Sequence, residues 1–403
     1  MSNGVLFNKA ILILSPQAWG NMLLAKHHYA IELAKRGNDV YFLNPPDNRH
    51  WSLKKAKKRI TIKPVVNHPN LFLVSQQLFF PYNIKFHSRK LYNRLVRIQI
   101  RQLLQVIPKE VEILWSFDLG NLFPMPFFDK KLYKVFHPVD EPRDLQAIQA
   151  ASGADILFSV TTEIIEKYKR FAVPSFFINH GLADEFIRED TDPVQPGARV
   201  KVGISGNLLR PDLDRKTLLH IINENPDVIF HFYGSYLLSH SNIGASASKE
   251  TSEFIETLEG LDQVVLHGVL ETEELARELK HMDALLICYD IQLDQSRGTN
   301  YHKVMEYLST GKVIISNNIT TYQKYPELLR MNASRSDNLG LPVLFKETIG
   351  DLERWNAEAL KNMRKAFALR NTYQNQLNII EEHISNFSRK MKYSGDKLPI
   401  QGT

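Results

Sequence analysis

The chain has 403 residues, a length that favours two domains because a single hydrophobic core rarely grows so large. Its hydrophobic content of 43% and aromatic content of 10% are ordinary for a globular protein. No apolar run approaches the roughly 20 residues that a membrane-spanning helix needs, and no signal-peptide pattern opens the chain. Its one cysteine, Cys288, excludes a disulfide framework. We therefore expect a cytoplasmic protein.

The net charge of +6 conceals a strong asymmetry. Fourteen of the 50 lysines and arginines lie between residues 48 and 109, which contain no Asp or Glu, so the rest carries 36 basic against 44 acidic residues. We call residues 49–101 the basic block. Its second part interleaves arginines with apolar residues at helical spacing: Arg94, Arg97 and Arg101 with Leu91, Leu95, Ile98 and Leu103. This pattern indicates either contact with an anionic membrane surface or a helix packed on its own domain with a solvated basic face.

Nucleic-acid binding is a third interpretation of the basic block. It is disfavoured, because no nucleic-acid-binding motif accompanies the charge.

The first elements alternate between strand and helix. Residues 10–14 form an apolar run, residues 23–35 have helical spacing that ends before Gly37, and residues 40–43 form a second apolar run. Strand, helix and strand in this order predict a parallel sheet with right-handed crossovers. The loop after the first strand contains Gly20 but no GxGxxG motif, so a dinucleotide fingerprint is absent.

Further strands are predicted at 111–117, 134–136 and 154–161, each followed by polar residues. His137, Asp140 and Glu141 follow the second of these. Open α/β sheets place their binding sites at the carboxyl ends of the strands. Asp140 is therefore a candidate for substrate contact or, alternatively, a cap for the next helix.

A second series of the same type begins at residue 201. Strands are predicted around 202–205, 231–233, 264–266, 284–289 and 313–315. We predict an N-terminal domain at 1–190, a linker at 191–200, a second domain at 201–370, and a C-terminal helix and tail at 371–403 that return to the first domain. The predicted fold is α/β, with two doubly wound Rossmann-like domains.

The most informative stretch is residues 295–317. A small polar loop leads into a short helix that Gly311 ends in the left-handed conformation. Lys303 and Glu306 share one face of this helix. The unpaired N–H groups at its start suit a phosphate or diphosphate, and Glu306 could accept two hydrogen bonds from a ribose diol. The alternative is an ordinary amphipathic helix with both charged side chains solvated.

The pattern Lys303-x-x-Glu306-Tyr307-Leu308-x-x-Gly311-Lys312, followed by an apolar strand, resembles the nucleotide-sugar site of retaining glycosyltransferases with the GT-B fold (family 4, or group 1-like). That family includes many bacterial polysaccharide and glycolipid enzymes. The resemblance implies two domains facing a central cleft, with Glu306 on the nucleotide ribose. The family often has a further glutamate on the donor sugar, eight residues upstream, where this chain has Gly298.

The same resemblance assigns the remaining candidate residues. It implies donor binding by Gly206, Asn207, Arg215, Lys216, Gly298, Thr299, Asn300, Lys303 and Glu306. It implies catalytic roles for His137, beside the sugar, and for Arg210 and Lys303, beside the leaving diphosphate. On the acceptor side it places Trp19, Gly20, Lys26, His27, Asp140 and Glu141. The segment 176–182 resembles the turn that ends the first domain in the family.

The predicted activity is retaining transfer of a sugar from a nucleotide-diphospho-sugar to a polysaccharide or lipid-linked acceptor. No cofactor and no metal is expected. Two D-x-D pairs, Asp190 with Asp192 and Asp212 with Asp214, match the metal signature of another glycosyltransferase fold, but such short patterns arise readily by chance. No nucleic-acid partner is expected. An anionic membrane surface, contacted through residues 49–101, would place the protein peripherally at the inner membrane face.

Two alternatives remain open. A nucleotide-sugar epimerase of the same fold would need no acceptor. A catalytically inactive nucleotide-sugar-binding homologue is suggested by the glycine at position 298.

Overall fold

A computed structural model describes residues 4–20, 23–46, 51–52, 54, 60–188, 199–237 and 248–393, with side chains described up to 387. The chain divides into two compact units. Unit 1 is Met1–Asn179 with Tyr373–Thr403, and unit 2 is His180–Thr372. The first unit thus ends before the predicted boundary at 190. Residues 191–198 of the predicted linker lie outside the described residues.

Unit 1 is built on a sheet in which β1 is central. Its strands are β1 (Ala10–Leu14), β2 (Asp39–Leu43), β3 (Thr61–Val65), β4 (His68–Ser75), β5 (Ile113–Ser116), β6 (Tyr133–Phe136), β7 (Ile156–Ser159) and β8 (Ser175–Phe177). Their order is β3-β4-β2-β1-β5-β6-β7-β8, and the pairing is parallel except between β3 and β4. Every residue of β1 is buried, as expected for a parallel strand covered on both faces.

The helices of unit 1 cover this sheet. They are α1 (Ala25–Lys35), α2 (Ile84–His87), α3 (Arg89–Val106), α4 (Leu145–Gln149) and α5 (Thr162–Lys167), followed at the end of the chain by α13 (Tyr373–Tyr393). The C-terminal helix predicted from residue 371 therefore belongs to unit 1. His28 of α1 stacks on Tyr373, with the ring centres 4.6 Å apart.

Unit 2 contains a parallel sheet. Its strands are β9 (Val200–Ser205), β10 (Val228–Tyr233), β11 (Val264–Gly268), β12 (Ala284–Ile287), β13 (Val313–Ser316) and β14 (Arg330–Met331), in the order β11-β10-β9-β12-β13-β14. Its helices are α6 (Arg215–Asn223), α7 (Lys249–Glu259), α8 (Thr272–Lys280), α9 (Lys303–Thr310), α10 (Leu341–Gly350), α11 (Leu352–Trp355) and α12 (Glu358–Arg370).

Helix α9 ends as its sequence predicts. Gly311 has a φ of +76°, and its N–H donates to the carbonyl of Leu308 at 3.0 Å. The buried guanidinium of Arg364 donates to the Gly311 carbonyl at 3.1 Å and to the Trp355 carbonyl at 2.9 Å. This arginine therefore ties α12 to the end of α9, which fixes the axis of the helix that carries Lys303 and Glu306.

The strand orders define a topological switch point in each sheet. In unit 1 the chain runs from β1 toward β2 on one side and later resumes at β5 on the other. In unit 2 it runs from β9 toward β10 and resumes at β12. The loops after such strand pairs diverge and leave a crevice, where open α/β sheets bind ligands. The β1/β5 and β9/β12 edges are therefore the first places to look for sites.

Candidate functional site

A narrow pocket lies at the switch point of unit 2, with a volume of about 10 Å³, room for about one water molecule. It is lined by the carboxyl ends of β9 and β12, by the residues that follow them and by the first residue of α9, including Ser205, Gly206, Asn207, Leu208, Tyr289 and Lys303. Three of the predicted donor-binding residues, Gly206, Asn207 and Lys303, are thus brought together although they lie far apart in sequence.

Glycine is favoured at one position of this pocket and at one position beside it. Gly206 has a φ of +136°, and a Cβ there would lie 2.7 Å from Nζ of Lys303. Gly234, after the neighbouring strand β10, has a φ of +145°, and a Cβ there would lie 1.9 Å from the Gly206 carbonyl oxygen. Both positions have a backbone conformation that favours glycine, and at Gly234 a side chain would also clash with fixed backbone. The two glycines therefore let the loop backbone approach the lysine.

Lys303 places a positive charge beside this loop. Its ammonium donates to the Ser205 carbonyl and, at 2.6 Å, to the Tyr289 hydroxyl. Burial acts to lower the pKa of Lys303, but the Tyr289 and Tyr307 hydroxyls outweigh it and hold the pKa above its ordinary value. Tyr307 also accepts a hydrogen bond from the Ser205 N–H at 2.7 Å. The lysine is therefore charged and fixed in position.

Arg210 approaches the same pocket from the loop after β9. Its Nε donates to Asp212 at 2.8 Å, and its guanidinium lies 5.2 Å from the ring centre of Tyr289. The hydrogen bond to Asp212 raises the pKa of Arg210 above its ordinary range. Asp212 also neutralises part of the charge that was predicted to face a diphosphate.

Tyr289 is the site residue that sequence analysis did not identify. Two cations lie near its ring, with Nζ of Lys303 4.8 Å and the guanidinium of Arg210 5.2 Å from the ring centre. An aromatic residue at the end of an apolar run suggests a core position. Its position just beyond the carboxyl end of a predicted parallel strand could have identified it as a site residue.

The other two predicted cations differ in placement. Arg215 is buried, and its guanidinium donates to the Arg210 carbonyl at 2.7 Å, so it supports the loop instead of facing open solvent. Lys216 is exposed in the first turn of α6. The predicted donor contact of Lys216 stays a prediction, whereas the structure gives Arg215 a positioning role.

The loop before α9 corrects one expectation. The N–H of Gly298 donates to Asp294 at 2.9 Å, and the N–H of Thr299 donates to the Ser296 carbonyl at 3.1 Å. Asp294 also accepts from the Tyr301 hydroxyl at 2.7 Å. The carboxylate of Asp294 and the loop itself therefore occupy two N–H groups that we expected to face a phosphate.

Gly298 cannot carry the side chain that the family often has there. Its φ is +65°, and a Cβ would lie 2.7 Å from the carbonyl oxygen of Asn318. A glutamate would meet both backbone strain and a clash with fixed backbone. Asn300 and Thr299 are buried in the same loop, and their contact with a donor stays a prediction.

Glu306 lies one turn into α9 and is half-buried. Within the described part of the chain its carboxylate has no hydrogen-bond or ion-pair partner. Burial raises the pKa of Glu306 to about 7, and the nearby charge of Lys303 opposes this shift. A sheltered carboxylate without a hydrogen-bond partner lowers the stability of the folded protein. Groups of this kind are typical of ligand-binding sites.

Four of the predicted acceptor-side residues lie at the amino end of α1 and in the loop before it. Trp19 meets His27 edge-on, with the ring centres 5.0 Å apart, and Gly20 is exposed. Burial lowers the pKa of Lys26 to about 8, with Asp140 opposing the shift, and lowers that of His27 to about 4. Lys26 of α1 and Asp140 are thus electrostatically coupled, and the contact of these residues with an acceptor stays a prediction.

His137 has no exposed surface, contrary to what was expected of a ring that faces a sugar. Tyr29 and Phe117 pack against it with ring centres 5.0 Å away, and within the described residues neither ring nitrogen has a hydrogen-bond partner. Burial lowers the pKa of His137 to about 3. The catalytic role stays a prediction, with the added condition that the enclosing side chains must move.

The acidic residues after His137 differ in their surroundings. Asp140 is exposed and does not cap the following helix, because Asp144 accepts from the Ala147 N–H at 2.8 Å at the start of α4. Glu141 forms an ion pair with Lys167 of α5. The structure therefore uses Glu141 to attach its loop to α5.

The D-x-D pair at Asp212 and Asp214 has structural roles. Asp212 pairs with Arg210, and Asp214 caps α6 by accepting from the Thr217 N–H at 3.0 Å. Asp190 and Asp192 lie outside the described residues. In the part of the chain that the structure describes, no group of three or more His, Cys, Asp or Glu is arranged to hold a metal ion.

Among the helices of the described residues, none has the length and apolar character needed to cross a bilayer.

Comparison with known proteins identifies the fold. No protein-family model matches the chain, and no curated protein matches it. Among solved structures it is similar to sucrose-phosphate synthase from Thermosynechococcus elongatus, with a TM-score of 0.66, 13% identity, and coverage of 96% of this chain and 100% of that one.

Two further structures contain nucleotide-sugar compounds. Trehalose-6-phosphate from E. coli bound with UDP-2-fluoroglucose has a TM-score of 0.67, 9% identity, and coverage of 94% and 99%. HepE from Anabaena with UDP-glucose has a TM-score of 0.64, 13% identity, and coverage of 94% and 99%. The chain has the GT-B fold of these glycosyltransferases, with two Rossmann-like domains.

Proposed function

We propose that the protein is a glycosyltransferase that moves a sugar from a nucleotide-diphospho-sugar to a polysaccharide or lipid-linked acceptor, with retention and without a metal. The donor binds over the β9/β12 edge of unit 2, next to Lys303 and the Gly206 loop. UDP is the nucleotide to test first, since similar structures were solved with UDP-glucose or UDP-2-fluoroglucose.

The observation that carries the proposal is the carboxylate of Glu306. It is half-buried and lies on the same helix face as Lys303, which is held at the Gly206 loop. A ribose diol would supply the two hydrogen bonds that the carboxylate lacks, and the diphosphate would lie toward the lysine. Charge-assisted hydrogen bonds of this kind are short and strong.

The cations of the pocket supply the proposed catalytic effect. Lys303 lines the pocket, and both Lys303 and Arg210 lie against the ring of Tyr289, which also lines it. Fixed positive charges at a leaving diphosphate stabilise the charge that develops as the glycosidic bond breaks. Since tyrosine contacts and hydrogen bonds fix both groups, little reorganisation is needed at that moment.

A thermal-shift screen of the full chain against UDP-, GDP- and ADP-sugars tests donor binding. We expect one nucleotide class to raise the unfolding temperature, and Glu306→Gln to remove most of that rise. Glu274→Gln, on the exposed face of α8, makes the same chemical change away from the pocket and should respond like the wild type. The absence of a shift with every nucleotide sugar would contradict the proposal.

A second candidate is a nucleotide-sugar-binding homologue without transfer activity. Position 298 favours this candidate, because it has no room for the glutamate that contacts the donor sugar in many GT-B enzymes. Release of free nucleotide from the bound donor, measured with and without candidate acceptors, separates the two. Steady turnover supports the transferase, and binding without any turnover supports the inactive homologue.

A further inference from the structure

Most of the backbone N–H groups in the loop after β9 are already engaged. Four residues of this loop donate their N–H groups within the protein: Gly206, Leu208, Leu209 and Arg210. Their acceptors are the carbonyls of Tyr233 and Ser235 and, for the last two, the side chain and the carbonyl of Asn207. A phosphate that lies on this loop therefore needs hydrogen-bond donors from side chains.

The start of α9 is engaged in a similar way. Besides the N–H groups of Gly298 and Thr299, those of Val304 and Met305 donate to the carbonyls three residues before them, each at 3.1 Å. A helix start that uses its N–H groups internally has fewer of them left for an anion. The side chains beside these two segments therefore decide how a diphosphate is held.

The hydroxyl of Tyr289 lies between the loop after β9 and the start of α9. It accepts a hydrogen bond from the Lys303 ammonium at 2.6 Å. A tyrosine hydroxyl can accept and donate at the same time, and among the described residues no acceptor takes the proton of this one. The donating side of the hydroxyl is therefore available to a ligand.

Gly206 keeps the space beside this hydroxyl open. A Cβ at that position would lie 3.2 Å from the hydroxyl oxygen of Tyr289 and 2.7 Å from Nζ of Lys303. A side chain there would crowd both groups, whereas glycine leaves them within reach of a ligand on the loop. The absence of a side chain at Gly206 thus presents the hydroxyl and the ammonium together.

Other contacts hold Tyr289 in place. Its N–H donates to the side chain of Asn317 at 3.0 Å, and its carbonyl accepts from the side chain of Asn338 at 2.9 Å. Its ring packs against that of Tyr301, with the ring centres 5.0 Å apart. None of these contacts uses the hydroxyl. The group is therefore preorganised for a ligand, which reduces the entropy lost on binding.

The capacity that remains around the hydroxyl is for donating hydrogen bonds. The Lys303 ammonium uses two of its three N–H groups, on the Ser205 carbonyl and on Tyr289. Arg210 donates to Asp212 through Nε and one terminal nitrogen, which leaves the other terminal nitrogen. A ligand that meets donors must supply acceptors. Phosphate oxygens do so, and their hydrogen bonds to cations are short and strong.

We infer that the Tyr289 hydroxyl donates a hydrogen bond to the diphosphate of the nucleotide-sugar, a contact that replaces those of the engaged backbone N–H groups. This contact adds a residue to the proposed function and rests on it. Lys303 strengthens the bond, because a hydroxyl that accepts from a cation becomes a better donor. Tyr289 keeps its proton throughout and forms no covalent bond, so it binds and positions the diphosphate.

Binding of UDP, inorganic pyrophosphate and uridine to the full chain tests this contact. Tyr289→Phe removes the hydroxyl and keeps the ring that lies against Lys303 and Arg210. Its affinity for UDP and pyrophosphate should fall at least about tenfold, measured by calorimetry or, for weak ligands, by ligand-observed NMR. Its affinity for uridine, which carries no phosphate, should match that of the wild type.

Two further variants separate direct contact from indirect effects. Tyr325→Phe removes the hydroxyl of a half-buried tyrosine that lies against Phe367, with the ring centres 5.3 Å apart, and should bind UDP like the wild type. In a Lys303→Met background, Tyr289→Phe should lower UDP affinity several-fold again, because the hydroxyl contacts the diphosphate itself. No further loss in that background would show that Tyr289 only positions the lysine and would overturn the inference.

Glu306→Gln, measured beside these variants, keeps the two proposals distinct. UDP binding that needs Glu306 but is equal in Tyr289→Phe and wild type contradicts only the Tyr289 contact. Equal losses of UDP and uridine affinity in Tyr289→Phe would assign the residue to the folding of the site and also overturn the contact. No binding of UDP, GDP or ADP by the wild type contradicts the proposed function, and with it the Tyr289 contact.

Discussion

The candidate site combines residues that the protein holds rigidly with one that it leaves without a partner. Lys303 is fixed by Ser205 and Tyr289, and Arg210 by Asp212 and the Tyr289 ring. Glu306 has no such support. Residues fixed in this way are ready for charge that develops during a reaction, whereas the carboxylate of Glu306 gains its hydrogen bonds when a ligand arrives.

Glu306 should therefore reduce the stability of the ligand-free protein at neutral and alkaline pH. Its pKa is about 7 when folded, against an ordinary value of 4.5, so the folded state holds the proton between these two values. The stabilising contribution is present below pH 4.5 and is lost as the pH rises through 7. In urea unfolding at pH 8, the free energy of unfolding of Glu306→Gln should exceed that of the wild type by about 1–2 kcal/mol. This figure is smaller than the full pKa shift implies, because the carboxylate is partly exposed to solvent.

At pH 5 the two proteins should differ little, because the wild-type carboxyl is then protonated. An equal pH dependence of the free energy of unfolding in wild type and Glu306→Gln would show that the carboxylate is not sheltered.

His137 should make the protein sensitive to acid. Its pKa is about 3 when folded, against an ordinary value of 6.5, so only the unfolded chain takes up a proton between these values. Stability is lost as the pH falls below 6.5, by about 2 kcal/mol at pH 5 for this group. The variant His137→Phe keeps the aromatic packing. Between pH 8 and pH 5 its free energy of unfolding, measured with urea, should fall less than that of the wild type. An unchanged loss would contradict complete burial of the ring.

The catalytic prediction for His137 has a separate test. Transfer by His137→Phe should fall far more than nucleotide affinity, the pattern of a contact made mainly in the transition state. Undiminished transfer would assign the histidine to the core alone.

Among the elements, α9 could be predicted from sequence almost completely, because a helix face, a glycine stop and an apolar strand follow one another without interruption. The loop before it could not. Its conformation depends on Asp294, which binds the Gly298 N–H and the Tyr301 hydroxyl, and on Asn318 beyond β13, which closes the space at Gly298. The approach of Asn318 to Gly298 joins residues distant in sequence, so no local pattern indicates it, whereas the Asp294 contacts span only four and seven residues.

Helix α3 illustrates a different limit. The sequence predicted an apolar face of Leu91, Leu95, Ile98 and Leu103. Of these, Leu103 belongs to the buried stripe, whose other members are Tyr92, Val96, Gln99 and Ile100. The two stripes lie about one residue apart around the helix, and tertiary packing decides between them. Leu91 and Ile98 are 46% and 38% exposed beside exposed Arg94, Arg97 and Arg101, which is the arrangement that contact with an anionic surface requires.

The membrane prediction belongs to this helix, since Arg49, Lys55, Lys57, Lys58 and Arg59 of the basic block lie outside the described residues. We expect salt-sensitive co-sedimentation with vesicles containing anionic lipid and little with neutral vesicles. Each cation near such a surface contributes roughly 1 kcal/mol. Changing Arg94, Arg97 and Arg101 to Glu should abolish sedimentation and leave nucleotide binding intact.

Lys324, Lys346 and Lys365 are exposed lysines of unit 2, and changing all three to Glu alters the net charge by the same amount. That variant should still sediment. Equal sedimentation of the α3 variant and the wild type would mean that the basic face is only solvated.

For the whole molecule, both units repeat one construction, in which loops diverge at the switch point of a parallel sheet and leave a pocket. The alternation of strands and helices predicted this architecture, and the GT-B fold was confirmed. The pocket of unit 1, which Tyr82 and Asp118 help to line, was not predicted, because its lining comes from four separate segments that only the strand order brings together.

The central claim is that a nucleotide binds in unit 2 through Glu306, and calorimetric titration of the full chain with UDP tests it most directly. The account predicts one UDP bound per chain, with Glu306→Gln weakening the affinity at pH 8 by at least about tenfold, since hydrogen bonds to a charged group contribute about 1.5–3 kcal/mol. Glu274→Gln should bind like the wild type. Equal affinity in Glu306→Gln and wild type, or no heat with UDP, GDP or ADP, would contradict the account.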